Sequence, residues 1–154
     1  MNQMTLSFTI VDAHLVHNPH FFEQTDPFAV LRFKNQEIKT RYIENEKTNP
    51  VWNETFEIVV GENNLGSIDI IDKNDILADK LIGSATFSFK KLLDENYVIN
   101  KIPIMRGKEN TGYVRIRIKS INGNKDDEIY EQHAQNVDRD YMPVPYYYQT
   151  SVKN

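Results

Sequence analysis

Three histidines near the start of the chain, His14, His17 and His20, recur every third residue; His133 is the fourth in the sequence. On a helix that spacing would gather imidazoles for a metal ion, but the segment reads as a strand running into a loop, where the three side chains diverge. No glycine-rich phosphate loop, nucleophile elbow or His-Glu-x-x-His pattern is present. Paired carboxylates such as Asp126-Asp127 lie where no pocket is expected to perturb them. The chain has no cysteine, which excludes disulfides, Cys-ligated metal sites and thiol catalysis. Enzymatic chemistry therefore finds no set of residues, and the expectation is a non-enzymatic protein that uses no cofactor.

Composition supports this reading. The 154 residues include 18 basic and 22 acidic side chains, a net charge of −4, with 40% hydrophobic and 26% charged residues. These proportions are those of a globular protein. The mild acidity argues against nucleic acid as a partner, since that normally demands a basic face. No apolar run approaches the roughly 20 residues of a membrane-spanning helix. No charged and apolar leader is seen at Met1-Asn2-Gln3-Met4, so a cytoplasmic protein is expected, peripheral to a membrane or held within a cytoskeletal assembly.

A hydrophobic period of two dominates residues 1–121. Met4, Leu6, Phe8 and Ile10 alternate with Thr5, Ser7, Thr9 and Val11, the pattern of a half-buried strand. Similar runs cover 28–34, 38–43, 54–60, 67–72, 84–89, 98–104 and 113–121, with turn residues between them. Only Phe89 to Glu95 reads as one or two helical turns. Eight short strands with almost no helix predict an all-β fold, an eight-stranded antiparallel β-sandwich.

After Ile121 the pattern stops at Asn122-Gly123-Asn124. Residues 122–154 hold six acidic and three basic side chains and five of the eight tyrosines: Tyr130, Tyr141, Tyr146, Tyr147 and Tyr148. The segment has no Phe or Trp, and Met142-Pro143-Val144-Pro145 favours an extended chain. It is expected to be an extended C-terminal tail, either a loose terminus or a segment whose tyrosines anchor it to its own domain or to a protein partner. The chain thus divides into a sandwich, 1–121, at a net charge of −1, and an acidic extension, 122–154, at −3.

Two stretches carry a family resemblance. The first is Thr25-Asp26-Pro27-Phe28, Lys39-Thr40 and Thr48-Asn49-Pro50-Val51-Trp52-Asn53-Glu54-Thr55-Phe56. The second is Ile68-Asp69-Ile70-Ile71-Asp72 with Lys80-Leu81-Ile82-Gly83. Together they resemble a C2 domain over residues 4–121. Trp52, the sole tryptophan, is expected to plug the core, and Asn49 and Asn53 to cap turns. The periodic region opens on the strand leading into the first loop, so 113–121 must close the sandwich; among C2 domains this implies type II topology.

The resemblance implies a calcium site at one end of the sandwich, built from several carboxylates because the ion takes six to eight oxygens. Carried over position by position, the set is Asp26, Asp72, Asn74 and Asp79. It is degenerate. Asn74 brings a carbonyl but no charge, Asp79 is one residue out of register, and Lys80 stands where an aspartate belongs. No acid occupies His20 or Phe21, and Glu23 is the nearest carboxylate. One alternative is that Lys80 is itself the resident cation, neutralising Asp26 and Asp72 where calcium would sit; calcium is expected to be a weak ligand at most. The resemblance also implies a loop tip of Phe21, Phe22, Ile76 and Leu77 that meets a bilayer or packs together, and a basic strip of Arg32, Lys34, Lys39 and Arg41 that faces phosphoinositide headgroups or solvent. The expected role is a recruitment module for membrane phospholipid or a protein partner, acting without calcium. Its rivals are a structural subunit docked through its tail in a cytoskeletal or ciliary assembly, and calcium-dependent phospholipid binding.

Overall fold

The computed structural model describes residues 2–16, 24–44, 46 and 48–121. Eight strands and one short helix follow in order: β1 Gln3–Leu15, β2 Pro27–Phe33, β3 Gln36–Lys39, β4 Val51–Gly61, β5 Leu65–Asp72, β6 Lys80–Ser88, α1 Phe89–Glu95, β7 Asn100–Arg106 and β8 Glu109–Ser120. All pairings are antiparallel, in the sheet order β3-β2-β5-β6-β7-β8-β1-β4. The β6–β7 pairing consists of a single position, Ser84 opposite Met105. There the sheet curls over into two four-stranded layers, and the expected sandwich results. β8 lies between β7 and β1, as type II closure requires.

The core fills with the inward residues of both layers. On β1 the phase changes midway. Leu6, Phe8 and Ile10 face inward, then Val11 is also buried, then Ala13 and Leu15. The register shifts between Ile10 and Asp12 against both neighbours, so Val11 sits in a β-bulge. This corrects the placing of Val11 in the outward series and carries β1 four residues beyond the expected end. Asn53, opposite the bulge on β4, takes a positive φ of 50° inside the strand rather than capping a turn.

β3 is shorter than the run 38–43 suggested. Thr40 N–H donates to Ala29 O at 2.9 Å, and the Thr40 hydroxyl, not a backbone carbonyl, accepts from Ala29 N–H at 2.9 Å. With one ladder acceptor replaced by a side chain, regular pairing ends at Lys39, and of the residues beyond Thr40, Ile43 N–H still reaches Pro27 O of β2 at 3.0 Å. Helix α1 forms where expected. Ser88 caps its start by accepting from Lys91 N–H at 3.2 Å, and Asn96, at φ 56°, ends it.

Four phenylalanines interlock at one end of the core: Phe8, Phe33, Phe87 and Phe89, with ring centroids 5.2–6.0 Å apart. Gly66 makes room for them. A Cβ there would lie 2.6 Å from Phe89 Cζ and 2.8 Å from Phe87 Cε1. Gly66→Ala should therefore cost about 1–3 kcal/mol by overpacking. Guanidinium chloride unfolding checks this, and an unchanged midpoint contradicts the packing described.

Candidate anionic-ligand site at the loop end

Residues 24–26 before β2, the described residues of 40–50 between β3 and β4, and 73–79 between β5 and β6 meet at one end of the sandwich. Pro27 organises them. Its carbonyl accepts from the Trp52 indole Nε1 at 3.4 Å and from Ile43 N–H at 3.0 Å. Trp52 is 1% exposed, plugging the core as expected. One residue earlier, Asp26 N–H donates to Asp72 Oδ1 at 2.9 Å, and Asp26 O accepts from Lys73 N–H at 3.0 Å. The Asp-Pro pair thus fastens the 40–50 and 73–79 connections to β2. Asn49 fastens the 40–50 connection to β1, because its Oδ1 lies 2.8 Å from His14 Nδ1. The His14 ring stacks on Tyr113. His17 and His20 lie outside the described residues.

Three of the four positions of the implied calcium site have an oxygen already engaged by backbone N–H groups. Asn74 Oδ1 accepts from Ile76 N–H at 3.0 Å and Leu77 N–H at 2.9 Å, so its oxygen shapes its own turn. Asp79 Oδ1 accepts from Asn74 N–H at 2.8 Å, and Asp72 Oδ1 is held by Asp26 N–H. These bonds hold the three side chains to backbone donors at different points of the loop end. Among the described residues no group of three or more carboxylate or imidazole side chains is placed to hold a metal ion.

The expected Lys80 contact is also corrected. Lys80 pairs with Asp72 in the β5–β6 register, but its side chain is exposed and forms no ion pair with Asp72 or Asp26. It acts on Asp72 only through its field. Burial pushes the Asp72 carboxyl above the usual carboxylate range; the charges of Asp26 and Asp79 add to this, while the Asp26 N–H and Lys80 oppose it. The net effect disfavours the ionised form, so Asp72 detracts from stability at neutral pH. That loss fades as pH falls through the raised pKa, where the folded state holds the proton more readily than the unfolded chain does.

The basic strip is broken up by the fold. Arg32 is taken by two acids, Glu37 on β3 and Asp69 on β5, with Arg32 Nε donating to Asp69 Oδ2 at 3.0 Å. Lys34 lies in the β2–β3 turn, at φ 55°. That is four residues from Val30, which pairs with Lys39, and so about 13 Å along the strand. Lys39 and Arg41 remain together. They line a hollow of about 270 Å³ with Phe28, Thr40, Tyr42, Lys73 and Asp79. Lys73, from the β5–β6 connection, supplies the third cation. It lies 5.1 Å from the centre of the Tyr42 ring and 3.2 Å from Asp75 Oδ1, a hydrogen bond that raises its pKa. Arg41 Nη1 reaches Glu54 Oε2 at 3.3 Å.

Beside this hollow, Ile76 and Leu77 project from the same 73–79 connection, 92% and 66% exposed. Phe21 and Phe22, their expected companions, lie outside the described residues, as do Tyr130, Tyr141, Tyr146, Tyr147 and Tyr148. Sequence reasoning missed Lys73, Tyr42 and Phe28 as partners of Lys39 and Arg41. The only signal was a lysine directly after Asp72, and it becomes informative once β2 is known to lie between β3 and β5.

The family model of the C2 domain matches residues 4–104. The chain belongs to the C2 domain family. The rice protein "Elicitor-responsive protein 3" (Oryza sativa subsp. japonica) is 31% identical over 99 residues, 64% of this chain and 69% of that one. Extended synaptotagmin-3 of Xenopus tropicalis is 31% identical over 102 residues, 62% of this chain but 11% of that protein. Among solved structures, a C2 domain-containing protein from an elicitor-responsive gene superposes with a TM-score of 0.65 at 25% identity, over 79% of this chain and 93% of that one. Family membership makes this C2 domain a membrane- or protein-binding module. No helix among the described residues is long and apolar enough to cross a bilayer.

Asp72→Asn keeps an acceptor for Asp26 N–H and removes the partly buried charge. The variant should melt above the parent at pH 7, with the gap closing as pH falls through the acid range. A lower melting temperature at pH 7 contradicts the electrostatic account of this end of the domain.

Proposed function

We propose that this C2 domain is a recruitment module that docks on anionic membrane phospholipid without calcium. A headgroup phosphate would sit among Lys39, Arg41 and Lys73, with Ile76 and Leu77 entering the interface. One observation carries this reading: the cationic hollow and the exposed apolar pair share the 73–79 connection, so a single surface can engage both with its end of the sandwich. The likeness to extended synaptotagmin-3 supports it at the level of family. Each cation near an anionic surface contributes about 1 kcal/mol, and burying an isoleucine or leucine side chain about 1.5–3 kcal/mol. Neither element suffices alone once association costs are included. The internal commitments of Asn74, Asp79 and Asp72 support calcium independence. The structural-subunit reading rests on residues 122–154 and draws no support from the described residues.

Co-sedimentation of the intact chain with phosphatidylcholine vesicles carrying phosphatidylserine or a phosphoinositide tests the proposal. Binding should persist in EGTA and fall about tenfold or more in Lys39→Glu or Lys73→Glu. A similar fall should follow Ile76→Asp with Leu77→Asp. Binding only with micromolar calcium, or indifference to both pairs of changes, overturns it.

A further inference from the structure

The other layer carries a charge pattern that the loop-end site does not use. On the outward face of β7-β8-β1-β4, Lys101, Arg115, Arg117 and Lys119 stand against two acids, Asp12 and Glu57. Asp12 is engaged: Arg115 Nε donates to its Oδ1 at 2.7 Å. The outward face of β3-β2-β5-β6 is balanced instead, with Arg32 and Lys39 against Glu37 and Asp69. Of the two outward sheet faces, only the one on the β8 side carries an excess of positive charge. Lys101 registers it. Its ammonium lies 3.9 Å from the centre of the Tyr113 ring, and its pKa is lowered by burial and then by the nearby Arg115.

We infer that residues 122–154 dock back onto this face as an internal acidic ligand, held by the basic row of β8. The occupant follows from where the chain leaves the fold. Ile121 N–H donates to Thr5 O at 2.9 Å, which fixes the exit beside the start of β1. Lys119 is two residues back and Arg117 four, with successive outward side chains about 6.7 Å apart. Asp126, Asp127 and Glu128 come five to seven residues later, after Asn122-Gly123-Asn124. Five residues span up to about 17 Å, enough to turn at that segment and bring the acidic triplet over Lys119 and Arg117. The tail cannot extend the sheet there, because both edges of β8 are paired, to β7 and to β1. It can only lie across the outer face through its side chains. Val51 and Val59 on β4, 49% and 43% exposed on that face, offer apolar ground for the tyrosine rings. The inference does not depend on lipid binding, because it concerns the opposite layer.

The absence of cysteine allows a single label. A nitroxide on Ala134→Cys in the full-length chain, read by proton relaxation of backbone amides, tests the docking. At about 25 mM salt the label should broaden amides of Tyr113–Ser120 and Lys101 at least twofold. The effect should fall to a third or less at about 0.5 M salt, where screening shortens charge attraction to a few ångströms. Lys119→Glu should weaken the broadening, and Glu128→Lys in that background should restore it. Three results overturn the inference: no broadening at low salt; broadening confined to the surroundings of Lys39 and Lys73; or equal broadening of an unlabelled chain mixed with the labelled one, which assigns the face to a second copy.

Discussion

The two layers of the sandwich share one backbone pair, Ser84 with Met105. Between the strands of the two layers the rest of the contact is side-chain packing, in which Trp52 reaches from β4 in one layer to the Pro27 carbonyl of β2 in the other. The same carbonyl accepts from Ile43 N–H, so the tryptophan and the 40–50 connection are referred to a single atom. Asp26, one residue earlier, donates its N–H to Asp72 at the end of β5 and accepts at its carbonyl from Lys73 N–H of the 73–79 connection. The loop end is thus positioned by backbone hydrogen bonds radiating from Asp26-Pro27. A proline suits this point: with no N–H to satisfy, it leaves its carbonyl as its only hydrogen-bonding group.

Much of this fold was legible in the sequence because each half-buried strand writes its inward face at every second residue. The signal fails where the period is broken. Val11 in the bulge shifts the phase of β1, and an alternation rule must either end the strand there or assign Val11 outward. Thr40 shows a different failure. Its neighbours alternate as if the strand continued, but a hydroxyl in the place of a ladder carbonyl ends it. Nothing in composition or spacing marks which threonine will do so.

The candidate site was legible only in fragments, for a reason that is topological. Lys39 and Arg41 lie near one another in sequence and were read together. Arg32 was grouped with them, but β5, the next strand in the sheet, brings Asp69 against it from 37 positions away and, with Glu37, pairs its charge twice. The same arrangement brings Lys73 to Tyr42 across β2. Partners supplied by the neighbouring strand depend on sheet order, which alternation alone does not report. Charge counts by strand therefore overestimate a basic strip and underestimate a basic pocket.

Asn74 ties the degenerate calcium position to the shape of the 73–79 connection. At a position where the family resemblance implies a carboxylate for calcium, an amide oxygen accepts two backbone N–H groups and turns the chain so that Ile76 and Leu77 face outward. Asp79 anchors the start of that turn by accepting from Asn74 N–H. A loop of repelling carboxylates needs a cation before it adopts a defined shape; a loop built from these internal hydrogen bonds has its shape already. Preorganisation lowers the ordering cost of docking, and under the proposed calcium-independent reading the ion is not the means of control. If this domain is regulated, the lever must act on access to the surface or on the charge around it, and the strongest reserve of charge in the chain is the acidic segment that follows Ile121.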